Sequence, residues 1–170
     1  MKIIFLDIDG VLNSEMYEAS RKDDCAESYI DLSRVKLLAD IVNATGAKIV
    51  LTSSLRVEWE KDVERCDKDG KYINQCLDRY GLSITDKTPF TSIFAERRKE
   101  ILSWISNHRS EVESFVILDD MNYGWGELSG RVVITDPLSY GLEEKHVQKA
   151  LELLRTQIEF GQLESENISH

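Results

Sequence analysis

Apolar residues along the chain follow two patterns. Short unbroken runs alternate with longer stretches in which apolar positions recur every three or four residues. The runs Lys2–Leu6, Ala47–Leu51, Ser114–Leu118 and Val132–Thr135 have the length and continuity of strands buried on both faces. Residues 33–45 predict a helix with Val35, Leu38, Ile41 and Val42 on one face, Ser33 as its cap and Gly46 as its end. Residues 55–80 predict two helical pieces broken near 67–70, with Gly81 closing the second. Residues 95–108 form an amphipathic pattern through Ile101, Leu102, Trp104 and Ile105, and residues 142–160 predict a long closing helix. Residues 82–94 fit neither pattern and hold the turn-like Asp86-Lys87-Thr88-Pro89. Apolar strands separated by helices imply an α/β fold of three layers, with a central parallel sheet covered on both faces in a Rossmann-like arrangement.

Composition narrows the picture. A chain of 170 residues suits a single domain, here expected over residues 1–160 with a polar tail over 161–170. With 42% hydrophobic and 31% charged residues, wholesale disorder is excluded. The formal net charge of -10 argues against clamping nucleic acid by charge alone, so no extended nucleic-acid footprint is expected. A locally basic groove is left open. Cys25, Cys66 and Cys76 make no CxxC pair and read as reduced thiols of a cytoplasmic protein. No apolar run approaches the ~20 residues of a membrane span. The first residues lack the apolar core of a signal peptide, so neither membrane nor export is expected. His108 and His146 lie on predicted helices without Cys or His neighbours and read as surface histidines. Trp104 fits a core face. Tyr123-Gly124-Trp125-Gly126 either lines a substrate entrance or simply packs.

Chemistry collects where the predicted strands end. The first runs into Asp7-Ile8-Asp9-Gly10, the second into Thr52-Ser53-Ser54 and the third into Asp119-Asp120. In open parallel sheets, ligands bind beyond these carboxyl ends. Four carboxylates gathered at one edge stay ionised together only around a cation, and an oxygen-only ligand set favours a hard ion, by default Mg²⁺. Carboxylates, a hard cation and small hydroxyl residues are the parts of phosphoryl transfer. Asp7 then attacks phosphorus, and Asp9, redirected by the freedom of Gly10, handles the proton. Thr52 or Ser53 binds phosphoryl oxygens, and a cation from Arg97, Arg98 or Lys99 balances their charge. A calcium-binding EF-hand loop is excluded, because Ile8 and Met16 stand where it needs acids.

Asp7-Ile8-Asp9-Gly10-Val11-Leu12, the strand ending in Thr52-Ser53, and Asp119-Asp120 resemble the haloacid dehalogenase (HAD) superfamily in its phosphatase branch, in order and spacing to about residue 135. Lys87-Thr88-Pro89, Arg97 with Glu100-Ile101, Val116 to Asp120, and Thr135-Asp136 followed by Gly141-Leu142 are similar to a narrower subgroup, the HAD domains associated with RNA-repair proteins. The resemblance implies a HAD-like fold with Asp7 as nucleophile and Asp9 as general acid and base. It implies a Mg²⁺ site from Asp7, the backbone carbonyl of Asp9, and Asp119 or Asp120. Thr52 maps best to the phosphate-binding hydroxyl, with Ser53 one residue away. Arg97 has the best spacing for the phosphate-binding cation, with Lys99 and Lys87 as alternatives. Asp9, absent from the dehalogenases, implies phosphate ester hydrolysis. The stretches Asn13–Val42 and Ser54–Arg97 imply a minimal cap or none. Such an open site suits a nucleic-acid end or a phosphoprotein, and a flap over 13–30 would instead close over a small metabolite. A receiver domain shares the acyl-phosphate chemistry, but its acidic pair and phosphorylated aspartate come in the opposite order. A catalytically silent binding or regulatory module is the alternative from another class.

Overall fold

The computed structural model describes residues 1–21, 28–90 and 96–158. Five strands, β1 (Lys2–Leu6), β2 (Lys48–Leu51), β3 (Ile84–Lys87), β4 (Ser114–Asp119) and β5 (Val132–Ile134), form one sheet in the order β3-β2-β1-β4-β5. Every neighbouring pair is parallel. The helices are α1 (Glu15–Ser20), α2 (Leu32–Thr45), α3 (Lys68–Asp78), α4 (Arg97–Asn107) and α5 (Glu144–Arg155), with short 3-10 turns at Ser54–Val57, Val63–Arg65 and Gly126–Arg131.

Alternation along the strands divides the core into two halves. Ile4, Leu6, Ile49, Leu51, Val116 and Leu118 face α2, α3 and α5, through residues such as Leu38, Ile73 and Ala150. Ile3, Phe5, Val50, Phe115 and Ile117 face Ile101, Trp104 and Ile105 of α4. Both faces are therefore covered, and the continuous apolar strands have the explanation expected of a buried parallel sheet.

Several sequence expectations change in detail. Asp31, not Ser33, caps α2: its Oδ1 accepts from the Ser33 backbone N–H at 2.8 Å, and Gly46 ends the helix in the left-handed region. The break predicted near 67–70 falls at its start: Asp67 is the N-cap of α3, and Gly70 lies inside the helix. Residues Lys68–Asp78 form one helix, and Gly70 is there because a Cβ would lie 2.3 Å from the Glu58 carbonyl oxygen. The first of the two predicted pieces is replaced by the 3-10 turns. The unassigned stretch 82–94 holds a strand, β3, at the sheet edge. Only Ile84 of its four residues is buried, so the apolar signal is missing; Asp86 is anchored instead by Trp104 Nε1 at 2.9 Å. Because α3 contributes Ile73 and Leu77 to the core, the chain between β2 and β3 is a crossover of the sheet rather than a cap. The closing helix ends at Arg155, and the expected tail over 161–170 lies outside the described residues, as does Cys25. Cys66 and Cys76 are buried free thiols. No helix among the described residues is long and apolar enough to cross a membrane.

His146 is a further correction. It is buried rather than on the surface, and its Nδ1 accepts from the Glu143 backbone N–H at 3.0 Å while the Glu143 side chain caps α5 in return. Burial, helped by Lys145, holds its pKa below the ordinary value, against smaller opposing effects of Glu143 and Asp136. The folded chain therefore binds fewer protons at this site than the unfolded one, so stability falls as pH drops through the ordinary histidine range near ~6.5. Glutamine keeps an acceptor without a titrating group. His146→Gln is expected to cost less than about 1 kcal/mol at pH 7.5 and to lose less melting temperature than wild type between pH 7.5 and 5.5. Parallel losses in the two proteins would contradict this assignment.

Candidate active site

The parallel register of β1 and β4 fixes the site. Leu6 pairs with Leu118, and the Asp7 N–H continues the ladder to the Leu118 carbonyl at 3.0 Å. Asp7 and Asp119 thus leave adjacent strands at the same edge. Both are buried, at 4% and 0% exposure, and Asp120 follows at the margin. Carboxylate oxygens of Asp7, Asp119 and Asp120 lie within 4.8 Å of one another.

Asp7 is held from two sides. Its Oδ1 accepts from the Ile8 N–H at 2.8 Å, and its Oδ2 accepts from Arg97 Nη1. The same nitrogen donates to Asp119 Oδ2 at 2.5 Å, while Asp119 Oδ1 accepts from the Met121 N–H at 2.9 Å. Burial works against the Arg97 charge, but the two carboxylates outweigh it and keep the guanidinium protonated. One guanidinium shared by two acids offsets less on the acid side. Burial, with the charge of Asp7, pushes Asp119 up to about 6 despite Arg97. Burial and Asp7 likewise raise Asp120.

The chain turns sharply after Asp7. Gly10 adopts φ +69°, and a Cβ there would lie 2.5 Å from the Asp120 side chain, so glycine is required both by the backbone and by the approach of the two acidic segments. Asn13 locks the turn: its Oδ1 accepts from the Gly10 N–H at 2.7 Å and its Nδ2 donates to Asp9 Oδ1 at 2.9 Å. Thr135 donates from its hydroxyl to the Gly10 carbonyl at 2.7 Å, bracing the turn from the end of β5. Asp9 is exposed, and its side chain is not in the three-acid group.

At the end of β2 the two hydroxyls part. Ser53 accepts from the Leu55 N–H and caps the following 3-10 turn. Thr52 Oγ1 is fully buried and has no hydrogen-bond partner among the described residues. A buried hydroxyl without a partner costs free energy, and a ligand oxygen at that position would remove the penalty. The three consecutive cations at the start of α4 also diverge. Arg97 reaches the acids, Arg98 pairs with Glu127 at 2.6 Å, and Lys99 lies exposed beside Glu96. Lys87 donates to the carbonyls of Arg56 and Trp59. The structure therefore brings Asp7, Asp119, Asp120 and Arg97 together and does not bring Lys99 or Lys87 to them.

The Arg97 guanidinium stands over the ring of Tyr123 at 5.0 Å, and Tyr123 is exposed, while Trp125 is buried against the α4 half of the core. The two aromatics of one short loop thus differ in burial, Tyr123 being exposed beside Arg97 and Trp125 packed. Sequence reading missed Asn13 and Arg56. Asn13 stands four residues after Asp9, the spacing of a side chain folding back on a turn, whereas nothing local marks Arg56.

A parallel sheet with an aspartate ending β1, an acidic pair ending the neighbouring β4 and a helix-borne cation between them defines a domain of the haloacid dehalogenase superfamily. Residues 3–147 match the family described as the HAD domain in Swiss Army Knife RNA repair proteins, and the chain belongs to it. Neither the curated proteins nor the solved structures compared with the chain gave a match.

Removing Arg97 leaves two buried carboxylates facing each other. In EDTA, Arg97→Met is expected to cost about 3 kcal/mol at pH 8 and clearly less at pH 5. The sign follows from Asp119: its folded pKa is already raised, losing Arg97 raises it further, and so the penalty grows as pH rises through that value. Urea unfolding at both pH values checks this, and an equal cost at each would contradict the shared-guanidinium account.

Proposed function

We propose that the chain is a Mg²⁺-dependent phosphohydrolase that cleaves phosphate monoesters through an aspartyl-phosphate on Asp7. The observation that carries this reading is the buried Asp7 carboxylate sharing Arg97 with Asp119, with the partnerless Thr52 hydroxyl at the end of the next strand. Membership of the HAD family supports it.

The donor set fits the metal. Asp7, Asp119 and Asp120 offer only oxygens, close enough to share one small hard cation, and the main-chain carbonyl of Asp9 is the ligand the family resemblance adds. Mg²⁺ held there would offset the carboxylate charge and that of the phosphoryl oxygens.

The chain's own groups account for the rest. An Asp7 carboxylate oxygen attacks phosphorus as the bond to the ester oxygen breaks. The Asp9 carboxyl gives its proton to that leaving oxygen. Asp9, now a carboxylate, takes a proton from water, which attacks the phosphorus of the acyl phosphate. The P–O bond to Asp7 breaks, returning free Asp7 and inorganic phosphate. Asn13 holds Asp9 for both proton steps. Thr52 and Arg97 supply fixed donors for the phosphoryl oxygens. Ser53 serves the loop as a cap, and Lys99 takes no part.

The substrate is a phosphorylated nucleic-acid end, phosphoprotein or small metabolite. The description of the family by its RNA repair proteins puts a nucleic-acid end first. The net charge of -10 still disfavours a long footprint. A cytoplasmic setting accords with the free thiols.

The test is phosphate release from p-nitrophenyl phosphate, followed by a panel of 3′- and 5′-phosphorylated oligonucleotides, nucleotides, phosphopeptides and sugar phosphates. Release is expected with Mg²⁺, none with EDTA, and none from Asp7→Asn. Asp9→Asn is expected to lower kcat by about 10²–10⁴-fold, Thr52→Val by about 10–100-fold, and Lys99→Gln by less than ~2-fold. No turnover of any ester would favour a silent binding or regulatory module.

A further inference from the structure

Arg56 is buried at 4% exposure in the 3-10 turn that follows Ser53, an unusual place for a guanidinium. Its Nη1 donates to the carbonyls of Thr52 and Ser53, both at 2.8 Å. Its Nη2 pairs with Glu100 Oε2 at 2.5 Å, and Glu100 is itself 3% exposed on α4, one turn beyond Arg97. The guanidinium lies 5.1 Å from the Phe90 ring. One buried side chain therefore joins the loop carrying the partnerless Thr52 hydroxyl to the helix carrying Arg97. Burial lowers the Arg56 pKa, and Glu100 opposes that fall.

Such a contact holds two separate elements in one geometry. A buried ion pair adds little net stability compared with apolar packing, but it tolerates few alternative arrangements. Thr52 and Arg97 arrive from different layers of the fold, and both must meet the same phosphoryl group. We infer that Arg56, through Glu100, is a positioning residue that sets the Thr52–Ser53 loop against Arg97 and so fixes the affinity of the site for a phosphoryl group. This inference rests on the phosphohydrolase reading for its reaction, but not for its test.

The test measures affinity at a temperature where the melting profile shows each variant folded, because partial unfolding would itself weaken apparent binding. Inorganic phosphate is titrated into the full chain with saturating Mg²⁺ by calorimetry, and its inhibition of p-nitrophenyl phosphate release is measured in parallel. Arg56→Met is expected to weaken phosphate binding and to lower kcat/KM, each by about tenfold or more. Arg56→Lys can reach the two carbonyls but cannot also span to Glu100, and is expected to fall between Met and wild type. Glu100→Gln, nearly isosteric, is expected to move affinity in the same direction as Arg56→Met, and it keeps the test available if that variant does not fold. Variants with the wild-type melting profile and a phosphate affinity within about twofold of wild type would overturn the assignment. So would a wild-type chain that binds no phosphate. A chain that binds phosphate Arg56-dependently yet hydrolyses no ester would instead refute the phosphohydrolase reading and leave the role of Arg56 standing.

Discussion

One guanidinium between two buried carboxylates is the constraint on which the site depends. Asp7 and Asp119 are adjacent because β1 and β4 are adjacent, and at the same edge because those strands are parallel. Without a cation the pair would be strongly repulsive in a dry environment. Arg97 supplies one only because α4 packs its apolar side, Ile101, Trp104 and Ile105, onto Phe5 and Phe115 of the same central strands. The core and the charge arrangement are thus two consequences of one placement. Moving α4 would at once disturb this packing and separate the guanidinium from the acids.

Around this centre the loops are braced by polar contacts as well as by apolar packing, with Ile8, Val11 and Leu12 buried in the core. Thr135, at the end of β5, holds the Gly10 carbonyl, and Asn13 holds the Gly10 N–H and Asp9 together. On the far side, Arg56 holds the carbonyls of Thr52 and Ser53, and Lys87 holds that of Arg56. Backbone groups released at the strand ends need partners, and directional side chains provide them while fixing the loop shape. The Thr52 hydroxyl, like Arg56 Nε and the Thr88 hydroxyl, is left without one among the described residues. That asymmetry separates Thr52 from Ser53, which their adjacent positions in the sequence do not.

The sequence shows the central sheet plainly, because β1 and β2 are apolar at every buried position and β4 at all but its two ends, Ser114 and Asp119. It hides β3, an edge strand in which Thr85, Asp86 and Lys87 follow Ile84. It also misleads at Gly70, where a glycine that admits a neighbouring carbonyl looks like one that ends a helix. Asp7, Asp119 and Asp120 are legible as a group, because each directly follows or ends an apolar run and topology does the rest. Asp9 is legible as a residue but not in its placement, since the turn at Gly10 carries it out of the three-acid group. Arg56 and His146 are invisible locally. Each bonds backbone three or four residues away, but its burial, and for Arg56 the distant partner Glu100, come only with the folded chain.

The basic run Arg97-Arg98-Lys99 looks like a patch, but consecutive helical residues point about 100° apart, so only one can face the sheet edge. Arg97 does, and the other two are taken by Glu127 and Glu96. The centre then holds three carboxylates against one guanidinium. With Asp119 raised only to about 6, its carboxyl is largely ionised at neutral pH. A phosphate dianion approaching this arrangement meets excess negative charge, and Arg97 is already engaged by two of the acids. A cation held by Asp7, Asp119 and Asp120 would offset that excess and leave Arg97 to serve the incoming group. Under the phosphohydrolase reading, a cation on these carboxylates is what the charges brought together by the fold would call for.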